Sequence, residues 1–164
     1  MTDSFLTSYY ESPLGLIELK SVNEKMCSVL FVEKETEPSY HKSPVNNECV
    51  KQLKEYFAGT RQQFNIPHYQ IGTDFQKKVW QAVEKIAYGT TLSYSAIAYQ
   101  LGDAKSVRAV GTSNGKNQLT IIVPCHRVLG ADGQLTGYAW GIERKQWLLK
   151  HEIEHAGYIE GRLF

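Results

Sequence analysis

Two kinds of hydrophobic spacing divide this chain near residue 73. Upstream, LGLIELKSV and CSVLFVEK alternate or run in apolar residues, with the polar pair Asn23-Glu24 between them. That pattern predicts a β-hairpin. The polar stretch EKETEPSYHKSP reads as a loop. NNECVKQLKEYFAG then sets Val50, Leu53, Tyr56 and Phe57 at helical spacing, with Asn at its start and Gly59 beyond its end. It predicts an amphipathic helix. Residues 1–72 therefore read as a small α+β domain without evident chemistry.

Residues 73–164 read as mostly helical. Thr73 or Asp74 can cap FQKKVWQAVEKIA, whose Phe75, Val79, Ala82, Val83 and Ile86 form one face, and Tyr88-Gly89 ends it. A helix over about Ser93–Leu101, a break at Gly102-Asp103 and a second helix over about Ala104–Ser113 suggest a helix-turn-helix. The second helix is rich in small residues, among them Ala109, Gly111 and Ser113. Small residues suit close approach to a nucleic acid and plain helix packing equally well. LTIIVPCHRV is β-branched and reads as a short extended segment that ends in Pro124-Cys125-His126.

Charge sharpens the second half. The whole chain carries +1, but residues 75–151 hold ten Lys and Arg against four Asp and Glu, a local +6. Such an excess favours a polyanionic partner. The three cysteines, Cys27, Cys49 and Cys125, are odd in number and far apart, which suits free thiols in a reducing compartment. With no apolar run of membrane-spanning length and no signal-peptide layout at the start, a cytoplasmic location is expected. A metal is not expected: no CxxC occurs, and His151 and His155 at i, i+4 lack a third ligand and read as a solvated helix face. Cys125 alone could be a buried thiol, a ligand or a nucleophile. A neighbouring histidine can favour the thiolate, yet adjacent side chains on an extended segment point apart.

The PCHRV core, Pro124 to Val128, resembles the signature of the O6-alkylguanine-DNA alkyltransferases, also called methylated-DNA–protein-cysteine methyltransferases. TDFQKKVWQAV, TTLSYSAIA, VRAVG, GYAWG and WLLKHE follow that family's order, and SPLGLIELKSVNEKMCSVLF resembles its opening strands. The resemblance implies an α+β fold: a ribonuclease H-like antiparallel-sheet domain, then a helical domain with a helix-turn-helix. It implies a DNA-repair protein that takes an alkyl group from O6 of guanine, and from O4 of thymine, onto Cys125. One reaction per molecule is expected, because a thioether is hard to reverse.

The same resemblance assigns roles. Cys125 is the acceptor, His126 its base through a water, Glu152 the residue that orients His126, and Tyr94 the donor to N3 of the departing base. The helix-turn-helix lies in the minor groove and Arg108 fills the stack after the nucleotide is flipped out, with Ala109, Gly111, Ser113 and Arg127 also on the DNA side, Arg127 supporting either the site or a phosphate. Asn117, Val128, Tyr138, Ala139 and Trp140 shape the pocket and its loop. The implied partner is double-stranded DNA carrying O6-alkylguanine, bound by a monomer without cofactor or membrane. Gln118 and Ala87 stand where the family often has proline, and Trp140 where glycine is common, so Trp140 is expected to narrow the pocket. A protein that recognises alkylated DNA without repairing it, or an unrelated cysteine hydrolase, is the alternative.

Overall fold

The computed structural model describes residues 4–157. Strands β1 (Leu6–Ser12), β2 (Gly15–Val22) and β3 (Lys25–Phe31) form one antiparallel sheet in that order. Asn23 and Glu24 turn the chain between β2 and β3 with φ of 52° and 61°. Two successive positive φ values match the twist of the flanking strands, so the expected hairpin closes tightly. β1 is absent from the sequence pattern because LTSYYES has little apolar alternation. Its Thr7 and Ser8 are buried and hydrogen-bonded, Thr7 to Glu37 and Ser8 to the Tyr40 carbonyl.

Helix α1 (Pro44–Phe57) starts earlier than expected. Ser43 caps it by accepting from the Asn46 amide, and Pro44 occupies the first turn, where a missing N–H costs nothing. Asn46 is instead a buried tie to β1, donating to the Leu6 carbonyl at 2.9 Å and to Ser8 Oγ at 3.0 Å. Leu53, Tyr56 and Cys49 join Ile17, Leu19, Met26 and Val29 in the core of this unit. Among the described residues the unit holds 4–70 and 118–120; Leu119 bridges Val29 in parallel.

The second unit holds 71–117 and 121–157. Thr73 and Gln76 form a reciprocal capping box at α2 (Asp74–Glu84). Ser93 caps α3 (Tyr94–Gln100), and α4 is Val107–Gly115. The second helix of the pair thus begins later than expected. Asp103 explains the difference: its Oδ1 accepts from the Lys105 amide and its carbonyl accepts from Ser106, holding 103–106 in a turn. Val79, Val83, Ile97, Ala98, Val110 and Leu148 are fully buried here.

LTIIVPCHRV is not one extended segment. Ile121 adopts φ 73°, and Cys125–Arg127 forms a single 3-10 turn. Leu119 bridges Val29 at the segment's start, and at its end Val128 joins Leu129 in β5 (Val128–Leu129), which pairs in parallel with β4 (Leu92–Ser93). A β-branched residue at positive φ is strained by about 1–3 kcal/mol, and here it lies four residues before the cysteine. Helix α5 (Ile142–His155) completes the unit.

Candidate functional site

Helix α5 buries Lys145, Leu148, His151 and Glu152 on one face. Ionisable groups there break the usual hydrophobic rule, and such exceptions gather at functional sites. His151 departs from the solvated-face reading: it is 7 % exposed and stacks on Trp147 with ring centroids 4.8 Å apart.

Glu152 is the hub. It accepts from His126 Nε2 at 2.6 Å, and from Arg127 Nε at 2.7 Å and Nη2 at 3.1 Å. The Gly89 amide adds a longer bond of 3.4 Å. Burial alone would raise the Glu152 carboxyl, but His126 and Arg127 outweigh it and hold it well below the usual carboxylate range. Arg127 also donates from Nη1 to the Ile86 carbonyl at 2.7 Å, and its guanidinium lies over the Tyr88 ring. At 6 % exposure it faces inward, toward Glu152 and Ile86.

The 3-10 turn resolves the difficulty of adjacent Cys and His side chains, because residues on such a turn do not alternate as on a strand. His126 is fully buried, with Nε2 committed to Glu152, and its Nδ1 has no hydrogen-bond partner among the described residues. Nε2 therefore carries the proton and Nδ1 the lone pair. Burial lowers the His126 pKa despite the carboxylate, and burial raises that of Cys125 despite its donors. The resting pair is thus a thiol and a neutral imidazole.

Two asparagines from the end of α4 and the loop beyond it hold the cysteine. Asn117 Nδ2 donates to Cys125 Sγ at 3.3 Å and to the Val123 carbonyl at 2.9 Å, and Asn114 Nδ2 donates to the Cys125 carbonyl at 3.2 Å. Asn114 does not stand out in the sequence, although SNGKN places it three residues before Asn117 at a helix end. Nor does Lys145. It is fully buried, its Nζ donates to the carbonyls of Val128 at 2.8 Å and Thr136 at 3.3 Å, and its charge acts on Cys125. Its one signal is the seven-residue spacing to Glu152, two turns along one helix face.

Tyr94, Gly111, Asn117, Cys125, Tyr138, Ala139 and Trp140 line one cleft. Tyr94 receives a hydrogen bond from Thr136 Oγ1 at 3.1 Å. The Tyr138 hydroxyl is buried near the thiol without a regular hydrogen bond. Val128 is fully buried, and its carbonyl accepts from Lys145. On α4, Arg108 and Ala109 are exposed. Ser113, also on α4, is 4 % exposed, and its carbonyl accepts from Trp80 Nε1.

Residues 5–68 match the ribonuclease-like domain, and residues 74–154 the DNA-binding domain, of 6-O-methylguanine DNA methyltransferase. A constitutive methylated-DNA–protein-cysteine methyltransferase of Bacillus subtilis is 44 % identical over 93 % of this chain and 99 % of its own length. A Methanosarcina acetivorans protein of the same name is 44 % identical over 87 % and 95 %. The crystal structure of Mycobacterium tuberculosis OGT in complex with DNA superimposes with a TM-score of 0.83 at 41 % identity, covering 91 % of this chain and 93 % of that one. Likeness on this scale across both units, joined to the buried Cys-His-Glu arrangement, makes the chain a member of the methylated-DNA–protein-cysteine methyltransferase family.

Proposed function

We propose that this chain repairs DNA by moving an alkyl group from O6 of guanine, and from O4 of thymine, onto Cys125. The observation that carries the reading is the His126 imidazole, held by Glu152 through Nε2 with an unpartnered Nδ1, next in the chain to a cysteine that lines the cleft. A bridging water takes the thiol proton to Nδ1, since a buried polar atom of this kind is normally satisfied by water. The forming thiolate keeps the Asn117 hydrogen bond and the Lys145 charge. Sulfur attacks the alkyl carbon in line, the carbon–O6 bond breaks, and guanine departs while Tyr94 donates to N3. The thioether has no leaving group that water can easily displace, so each molecule reacts once.

O6 is inaccessible in a stacked duplex, so the nucleotide must be flipped into the cleft. In this reading Arg108 at the start of α4 fills the gap and Ala109 allows close approach to the minor groove, a role that the exposure of both residues supports. The local basic excess supports DNA as partner. A monomer acting in the cytoplasm is part of this reading; no helix among the described residues is long and apolar enough to cross a membrane. Excess methylated duplex titrated with limiting protein tests the proposal. Restored guanine should stop at one per protein molecule. Continued turnover would support a hydrolytic enzyme, and binding without restored guanine a lesion-recognition protein.

A further inference from the structure

We infer that Thr136 is a positioning residue that aims the Tyr94 hydroxyl proton into the cleft. The inference rests on the proposed role of Tyr94 as donor to the departing base. Thr136 Oγ1 donates to Tyr94 Oη at 3.1 Å, and this is the hydrogen bond that the Tyr94 hydroxyl receives among the described residues. With a lone pair of Tyr94 Oη engaged by Thr136, its own proton is turned away from that bond, toward the cleft that Tyr94 lines. A phenol that rotated freely would spend part of its time pointing elsewhere.

Thr136 is itself fixed on two further sides. Its carbonyl accepts from the buried Lys145 Nζ at 3.3 Å. Its methyl lies so close to Gly130 that a Cβ there would come within 2.6 Å of Thr136 Cγ2. The same ammonium holds the Val128 carbonyl, so the donor tyrosine is tied through Thr136 and Lys145 to the strand that leaves the cysteine turn. In the sequence Thr136 carries no signal, because a threonine in a glycine-rich loop fits any surface turn.

The test compares Thr136→Val, which keeps the shape and loses the donor, with Thr136→Ser, which keeps the donor. Single-turnover transfer from duplex O6-methylguanine should slow about 3- to 10-fold in Thr136→Val, the effect of one neutral hydrogen bond, and recover in Thr136→Ser. Affinity for unmodified duplex should not change. Carbamidomethylation of Cys125 by iodoacetamide, whose iodide leaves without a proton, should keep its rate. In a Tyr94→Phe background Thr136→Val should have no further effect. An undiminished transfer rate in Thr136→Val, an equal loss in the Tyr94→Phe background, or a parallel loss with iodoacetamide would overturn the inference. No transfer by the wild-type protein would instead refute the proposed function, and this inference with it.

Discussion

Replacing Glu152 by Gln is expected to damage stability and chemistry together. The carboxylate is 1 % exposed and answers two cations or potential cations, His126 and an Arg127 side chain that is 7 % exposed. The glutamine amide in the Glu152→Gln variant would keep one acceptor oxygen and turn an NH2 toward donors, leaving the buried guanidinium without its counter-charge. Removing one partner of a buried pair costs about 3–5 kcal/mol. At about 2–4 °C per kcal/mol for a chain of this size, Tm should fall by about 6–20 °C. The one remaining oxygen cannot serve the guanidinium and also fix the Nε2–H tautomer of the imidazole as the carboxylate does, so methyl transfer should slow by about 100-fold or more. Thermal unfolding and single-turnover transfer, measured side by side below the variant's Tm, separate the two effects. Adding Arg127→Met should restore part of the stability, because the unpaired charge is gone, without restoring transfer. A Tm within about 2 °C of wild type in Glu152→Gln would refute the buried ion-pair account.

Transfer by the wild type should be flat at neutral pH and fall as pH drops through the His126 value, which burial sets below the ordinary value of about 6.5; a rate that declines with its midpoint above that value would contradict the depressed imidazole. Stability should fall with acid as well, since the depressed Glu152 carboxyl contributes fully above the unfolded value of about 4.3 and loses its contribution as pH drops toward its folded value; urea unfolding across pH should show a shallower acid loss in Glu152→Gln. Asn46→Ala should destabilise by about 1–3 kcal/mol by leaving the Leu6 carbonyl without its donor, with little change in transfer per folded molecule, as chemical denaturation and single-turnover rates would show.

The fold is legible wherever local spacing and capping agree. The hairpin turn at Asn23-Glu24, the Thr73 cap and the Ser93–Leu101 helix all follow from short-range rules. β1 is not legible, because its buried Thr7 and Ser8 are satisfied by residues some thirty positions away. The extended reading of LTIIVPCHRV breaks down for a related reason: Ile121 takes a backbone conformation that its side chain disfavours, which nothing local predicts. At the site, Cys125, His126, Glu152 and Tyr94 come from a resemblance to known sequences. Their geometry does not, since the direction of Arg127 depends on Glu152, Ile86 and Tyr88 from other parts of the chain. Lys145 shows the limit most plainly, because a lysine on an amphipathic helix ordinarily faces water and this one is fully buried.

Peptide mapping by mass spectrometry, after the protein meets excess duplex carrying a single O6-methylguanine, tests the account most directly. One methyl group on Cys125, with none on Cys27 or Cys49 and an equal amount of guanine restored in the DNA, is the predicted result; a Cys125→Ala protein should bind the duplex and leave the lesion in place. Guanine restored with Cys125 unmodified, or a methyl group found on another residue, would contradict it.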